Sequence, residues 1–133
     1  MAKIKIIDDD VEFAENLSVL LRARGHDVSC LSETENADEI AVRDGAELVI
    51  LDVMFPGNPH GGFDLARQIR RKKESKELPI IMLTAVNQEY PLDFSAADID
   101  SDWMPVQGFL EKPVQPQQMF SLIERLLKPT LRK

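Results

Sequence analysis

Cysteine is almost missing from this sequence, and cationic side chains are fewer than anionic ones. Cys30 is the only cysteine, so no disulfide framework can form within the chain, which is typical of a reducing compartment. The chain has 16 lysines and arginines against 23 aspartates and glutamates, and its formal net charge is −7. Because such a chain repels the phosphate backbone of nucleic acids, we expect no direct nucleic-acid partner.

Long apolar runs, a secretory signal and histidine clusters are missing as well. The longest apolar stretch falls far short of the roughly 20 residues that a transmembrane helix needs. The N-terminus passes directly into a predicted strand and then into acidic residues, unlike a signal peptide. Neither His26 nor His60 has partners at metal-ligand spacing. We therefore expect a cytoplasmic protein without a membrane span, folded as one domain over residues 1–133.

The sequence does contain a regular alternation of short apolar runs and amphipathic segments. The apolar runs predict five strands, at residues 3–7, 27–31, 47–52, 79–84 and 108–111. The amphipathic segments predict helices at residues 11–24, from the capping-box sequence at 32–35 to about 45, at 63–73, around 92–99, and at 115–127. This alternation predicts an α/β fold with a parallel sheet covered by helices on both faces.

Three residues mark where predicted helices begin or end. Asp10 is a suitable N-cap for the first helix, and Gly25 is a natural stop after it. Pro129 is predicted to end the last helix.

Polar side chains follow four of the five predicted strands. They are Asp8, Asp9 and Asp10 after the first, Asp52 after the third, Thr84 after the fourth and Lys112 after the fifth. Because right-handed crossovers bring the carboxyl ends of parallel strands to one edge, we expect these groups to meet there. Clustered carboxylates repel each other unless a cation neutralises them, and Mg²⁺ prefers such oxygen ligands. A carboxylate can also attack phosphorus, while a lysine and a hydroxyl bind phosphoryl oxygens.

With these groups in that order, the chain resembles the receiver domains of two-component response regulators, the CheY-like superfamily. The resemblance covers essentially the whole chain and rests on four motifs: Ile6-Ile7-Asp8-Asp9-Asp10, Leu48-Val49-Ile50-Leu51-Asp52-Val53-Met54, Pro79-Ile80-Ile81-Met82-Leu83-Thr84-Ala85 and Gly108-Phe109-Leu110-Glu111-Lys112-Pro113-Val114. It implies a doubly wound (βα)5 fold with strand order 2-1-3-4-5. It also implies a signalling domain that accepts a phosphoryl group as an aspartyl phosphate and changes its surface in response.

The resemblance implies a role for each motif residue. Asp52 resembles the phosphoacceptor, and Asp8 and Asp9 resemble the acid pair that binds Mg²⁺ together with Asp52, with Mn²⁺ expected to substitute. Met54 lies where the family offers a backbone carbonyl to the metal. Lys112 resembles the lysine that pairs with the phosphoryl group, and a cis peptide bond is implied at Lys112-Pro113.

Two further positions resemble the family's switch residues. Thr84 resembles the hydroxyl that moves towards the phosphoryl group, and it counts with Asp52 and Lys112 among the catalytic residues. Phe109 lies at the aromatic switch position, although an aromatic residue in a strand is commonly a core residue.

The resemblance also implies the partners and the output. A sensor histidine kinase or a phosphotransfer protein would donate the phosphoryl group, and a downstream protein would read the surface of the fourth helix, fifth strand and fifth helix, which also offers a homodimer interface. The domain would dephosphorylate itself slowly and would not be a turnover enzyme. The segment at residues 85–107 is longer than the family pattern, and Tyr90, Trp103 and Met104 within it form either a contact patch or part of the core.

Two other functions remain open at this point. The chain could be a receiver-like interaction module that works without phosphorylation. It could also be a phosphohydrolase with an aspartyl intermediate, but Met54 stands where haloacid-dehalogenase-type enzymes have a second acid. The glycine-rich stretch at residues 57–62 lacks a following Lys-Ser/Thr pair, which argues against a phosphate-binding P-loop.

Overall fold

A computed structural model describes residues 2–53, 61–85 and 107–131 of the chain. Its elements are β1 (Lys3–Ile7), α1 (Val11–Ala23), β2 (Asp27–Leu31), α2 (Ala37–Arg43), β3 (Leu48–Asp52), α3 (Gly61–Arg71), β4 (Ile80–Ala85), β5 (Gly108–Lys112) and α4 (Pro116–Leu131). The strands form one parallel sheet in the order β2-β1-β3-β4-β5. The predicted fold class and strand order are therefore confirmed. The helix predicted around residues 92–99 and the patch of Tyr90, Trp103 and Met104 lie outside the described residues, so the C-terminal helix is α4 here.

Strand β3 is the centre of the sheet, and it carries Asp52 at its carboxyl end. It pairs with β1 on one side and with β4 on the other. Its four apolar residues, Leu48 to Leu51, are fully buried because helices cover both faces of the sheet. Burial on both faces explains why the strand is apolar without interruption.

The two faces of the sheet carry separate hydrophobic cores. Side chains from α1 and α4, including Leu17, Leu21 and Met119, pack on the face that displays Ile4, Ile6 and Ile50. Side chains from α2 and α3 pack on the opposite face, which displays Ile7, Val49 and Leu51. Full burial of one such aliphatic side chain stabilises a fold by about 1.5–3 kcal/mol. The two cores together fix the strand ends relative to one another.

The start of β5 is fixed by the Gln107 side chain. Gln107 Oε1 accepts hydrogen bonds from the Ile80 backbone N–H at 2.7 Å and from Arg70 Nη2 at 3.1 Å. The Gln107 backbone N–H donates to the Ile80 carbonyl at 2.9 Å. Because α3, β4 and β5 are joined at this residue, the opposite end of β5, which carries Lys112, has a fixed register.

The ends of the first helix agree with the prediction from sequence, whereas the start of the second does not. Asp10 caps α1, since its Oδ1 accepts the Phe13 backbone N–H at 3.1 Å, and Gly25 follows with φ 94°. The capping box predicted at residues 32–35 was wrong. Helix α2 starts after Asn36, which has φ 59° and makes no side-chain capping bond. Asparagine tolerates this left-handed conformation, and the Ala37 N–H is satisfied by the Thr34 carbonyl in a turn.

The bounds of α3 and α4 also differ from the predictions. Helix α3 begins at Gly61, two residues before the predicted start, and α4 continues past Pro129 to Leu131. Glycine is a poor helix former, so sequence alone favours a start after it. A proline removes one backbone hydrogen bond and crowds the preceding turn, and in the last turn of a helix this cost is local. The peptide bond at Lys112-Pro113 is cis, as predicted.

Candidate functional site

Three carboxylates meet at the carboxyl edge of the sheet. Asp8 follows β1 and is 1% exposed, Asp52 ends β3 and is 6% exposed, and Asp9 is exposed. Strands β1 and β3 are neighbours with Ile7 in register with Leu51, so the acids that follow come side by side. One carboxylate oxygen from each of the three lies within 4.8 Å of the others.

Lys112 joins this cluster from β5. Its Nζ lies 3.0 Å from Asp8 Oδ2 and 3.4 Å from Asp52 Oδ1. It also lies 4.5 Å from the centre of the Phe13 ring. Because β4 separates β5 from β3, the long lysine side chain is what brings its charge to the acids. One cation therefore faces two buried carboxylates.

Within the described residues, Lys112 does not offset the unfavourable charge of the buried acids, and the pKa values reflect this. Burial, followed by the charge of Asp8, raises the pKa of Asp52 from 3.8 to about 7 against the opposing effect of Lys112. Burial likewise raises the pKa of Asp8. Burial alone would lower the pKa of Lys112, but contact with Asp8 and attraction to Asp52 outweigh it, and the pKa is raised. A further cation would stabilise the ionised form of both acids.

The donor set suits a magnesium ion. Asp8 Oδ1 accepts the Asp10 backbone N–H at 2.9 Å. The other oxygen, Oδ2, is buried and faces the Lys112 ammonium at 3.0 Å. Hard oxygen ligands, of which Mg²⁺ needs only one or two from carboxylates, are supplied by Asp8, Asp9 and Asp52. These residues fit the ion.

The structure brings together four of the residues singled out from sequence: Asp8, Asp9, Asp52 and Lys112. Thr84 lies in β4 with its backbone in register with Glu111, one residue before the end of the strand. Its side chain, like the whole of Met54, lies outside the described part of the chain. The roles assigned to these six residues stay predictions.

Phe109 lies in β5, three residues before Lys112. Its backbone is in register with Met82, and its partly buried side chain packs against the core on the α2 and α3 side. This position is compatible both with a core residue and with the predicted aromatic switch.

Gly62 is a site residue that the sequence analysis missed. Its backbone N–H donates to the Val53 carbonyl at 2.9 Å, which docks the start of α3 on the end of β3. A Cβ at this position would overlap the Asp52 carbonyl oxygen and lie 2.8 Å from Val53 backbone atoms. Only glycine permits this approach. The pair Gly61-Gly62 directly ahead of the amphipathic segment at residues 63–73 is the signal that the sequence offers for this contact.

Phe13 is the second residue that was missed in this role. Phe13 belongs to the amphipathic segment at residues 11–24, and its side chain is partly buried against the core. Its ring also contacts the Lys112 ammonium, which comes from the far end of the chain. No local pattern in the sequence indicates such a contact.

Comparison with known proteins gives the family. The family model described as "Response regulator receiver domain" matches residues 4–124. The chain is 28% identical over 127 residues to the phosphate regulon transcriptional regulatory protein PhoB of Pseudomonas aeruginosa, covering 96% of this chain and 52% of the relative. It is 30% identical over 130 residues to the DNA-binding dual master transcriptional regulator RpaA of Synechocystis, covering 98% and 51%. The chain thus spans about half the length of these curated relatives.

A solved structure supports the fold. It is the receiver domain of the sensor histidine kinase PA1611 from Pseudomonas aeruginosa, with a magnesium ion coordinated in its active-site cleft. The TM-score is 0.76 at 20% sequence identity, and the match covers 96% of this chain and 98% of the PA1611 chain. Within the described ranges, no helix is both long and apolar enough to cross a membrane. From the match of the family model to most of its length, the chain belongs to the response regulator receiver domain family.

Proposed function

We propose that the domain accepts a phosphoryl group on Asp52, in a Mg²⁺-dependent reaction, from the phosphohistidine of a sensor histidine kinase or a phosphotransfer protein. The observation that carries this proposal is a nearly buried carboxylate, Asp52, flanked within 3.4 Å by a lysine ammonium and within 4.8 Å by two further acids. Among the described residues Asp52 pairs with one cation, Lys112, and a buried acid with a raised pKa in such a cluster suits a nucleophile.

The transfer would be a single displacement at phosphorus. An Asp52 carboxylate oxygen forms the new O–P bond while the P–N bond of the phosphohistidine breaks, and its electron pair stays on the imidazole nitrogen. Lys112, 3.4 Å from Asp52 Oδ1, binds an oxygen of the transferred group and offsets its charge. Since burial and the Asp8 charge raise the pKa of Asp52 to about 7, only part of Asp52 is ionised near neutral pH, and the ionised part is the nucleophile.

Asp8, Asp9 and Asp52 would hold the magnesium ion, with the Met54 carbonyl as a further expected ligand. When bound, Mg²⁺ supplies positive charge that favours ionised Asp52 and stabilises the transferring phosphoryl group. The magnesium in the cleft of the PA1611 receiver domain supports this assignment. Mn²⁺ is expected to substitute, because it also favours carboxylate and water ligands.

Phosphorylation would then change the output surface. The added oxygens draw in Thr84, Phe109 reorients, and the surface around β5 and α4 changes its affinity for a downstream protein or a second copy of the domain. The matched halves of PhoB and RpaA belong to transcriptional regulators, which supports a signalling output. The acyl phosphate would hydrolyse slowly on the domain itself, so that the protein is a switch and not a turnover enzyme.

Intact-mass spectrometry after treatment with acetyl phosphate or phosphoramidate tests the proposal. We expect a mass gain of one phosphoryl group that needs Mg²⁺ and disappears in Asp52→Asn. Asp27→Asn, at the exposed start of β2, is a matched control that should be labelled normally. If the unmodified protein takes up no label, the chain is better described as a phosphorylation-independent interaction module. Labelling that persists in Asp52→Asn would instead show that another residue accepts the phosphoryl group.

A further inference from the structure

Beside the candidate site lies an aromatic ring that the proposed reaction does not use. Phe13 presents its ring to Lys112, with the ammonium nitrogen 4.5 Å from the ring centre. An ammonium at this distance from an aromatic face is attracted by the negative charge of the π system. Asp8 Oδ2 and Asp52 Oδ1 lie 3.0 and 3.4 Å from the same nitrogen, so the ring is the third group that contacts the ammonium within the described part of the chain.

The ring is held in place by the same turn that orients Asp8. The Asp10 backbone N–H donates to Asp8 Oδ1, and Asp10 Oδ1 in turn accepts the Phe13 backbone N–H. The Phe13 side chain packs partly buried against the core beneath α1. The carboxylate and the ring that contact Lys112 are therefore both positioned by the N-terminus of α1.

The contacts of Lys112 with Asp8 and Asp52 would change during the proposed reaction, whereas its contact with Phe13 would not. The Lys112 side chain is 23% exposed, and a lysine stem has four rotatable carbons. Asp8 and Asp52 are also the groups that would bind the metal and take the phosphoryl group. Once they are engaged, an aromatic ring still attracts the ammonium, since it neither ligates a metal nor changes charge.

We propose that Phe13 is a positioning residue for Lys112: its ring face keeps the ammonium beside Asp52, within reach of the phosphoryl oxygens that arrive there. This inference rests on the proposed function, in which Lys112 binds the phosphoryl group. It assigns Phe13 a role that a merely apolar residue of similar size would not fill.

The test compares Phe13→Leu, which keeps an apolar side chain, with Phe13→Tyr, which keeps the aromatic face. Phe120→Leu is the matched control, because Phe120 in α4 packs against the same core and contacts the guanidinium of Arg24 at 4.2 Å. Initial rates of Mg²⁺-dependent labelling are measured against acetyl phosphate concentration. We expect Phe13→Leu to lower the initial labelling rate at low acetyl phosphate concentration about three- to tenfold. Phe13→Tyr and Phe120→Leu should stay close to the unmodified protein.

Two further measurements separate positioning from packing. In a Lys112→Met background, Phe13→Leu should have no additional effect on labelling. In the unmodified protein, the Lys112 side-chain protons should show ring-current shifts by NMR that vanish in Phe13→Leu and persist in Phe13→Tyr. If Phe13→Leu is labelled as fast as the unmodified protein, Phe13 does not position Lys112. The same conclusion follows if Phe13→Leu lowers the labelling rate by the same factor in the Lys112→Met background as it does when Lys112 is present.

The proposed function and this inference can fail separately. If the unmodified protein takes up no phosphoryl group, the proposed function fails, and with it the role of Phe13 in that reaction. The ring-current shifts would then still report whether the ring holds the ammonium, and their absence in the unmodified protein would overturn the contact itself.

Discussion

Replacing the buried nucleophile should stabilise the metal-free domain. Burial and the neighbouring Asp8 charge raise the pKa of Asp52 from 3.8 to about 7, so ionised Asp52 is unfavourable in the folded state. A pKa rise of this size means that the fold favours protonated over ionised Asp52 by about 4 kcal/mol more than the unfolded chain does. The side-chain amide of the Asp52→Asn variant cannot ionise, and it keeps nearly the same volume as the carboxyl group. We expect this variant to be about 2–4 kcal/mol more stable than the unmodified protein above pH 7, after the loss of the Lys112 contact.

The sign of the pH dependence follows from the same shift. Below about pH 4, Asp52 is protonated in both the folded and the unfolded protein, so it does not lower the free energy of unfolding. As the pH rises towards 7, the unfolded chain releases this proton while the folded domain retains it, so the free energy of unfolding of the unmodified protein falls. Asp8, whose pKa burial also raises, contributes in the same direction. The Asp52→Asn variant should lose most of this slope.

Urea unfolding followed by circular dichroism at several pH values between about 5 and 8, in the presence of a chelator, measures the effect. Adding Mg²⁺ should restore stability to the unmodified protein, by an amount that grows with the logarithm of its concentration, and should do little for Asp52→Asn. Parallel stability curves for the two proteins would refute the claim that Asp52 is held in an unfavourable ionised state.

Three other changes test the surroundings of the site. Gly62→Ala places a Cβ against the backbone of β3 and should destabilise the domain by about 1–3 kcal/mol and slow labelling of Asp52; an unchanged urea midpoint would contradict the close packing. Asp44→Asn leaves the 3% exposed Lys5 without its carboxylate partner at 2.6 Å, so thermal unfolding should occur at a lower temperature. Because Lys5 lowers the pKa of Asp44, the stability that this pair adds should be lost as the pH falls. This pH dependence is opposite in sign to that of Asp52. Asp8→Asn should abolish Mg²⁺ binding in a calorimetric titration, and retained affinity would show that other ligands dominate.

Sequence alone predicted the strands and the convergence of the acids, for a physical reason. A strand buried on both faces, such as β3, must be apolar throughout, and its end is marked by the first charge, Asp52. Parallel topology then places Asp8, Asp52 and Lys112 at one edge, whatever the details of packing.

The features that sequence did not predict depend on tertiary contacts. The start of α3 at glycine contradicts helix propensity, and it is explained only by the need of Gly62 to approach the Asp52 backbone. The capping box at residues 32–35 was overridden by a left-handed Asn36. Contact between Phe13 and Lys112 joins two ends of the chain, and periodicity shows only that Phe13 faces inward.

In the proposed reaction Asp52 is the carboxylate that takes the phosphoryl group, and the nearby Asp8 and Asp9 are not. Reduction of the labelled protein with borohydride converts a phosphorylated aspartate to homoserine, which peptide mass spectrometry can assign to one residue. We expect homoserine at position 52 alone, and only when Mg²⁺ was present during labelling. Homoserine at position 8 or 9, or an equal yield without Mg²⁺, would contradict it.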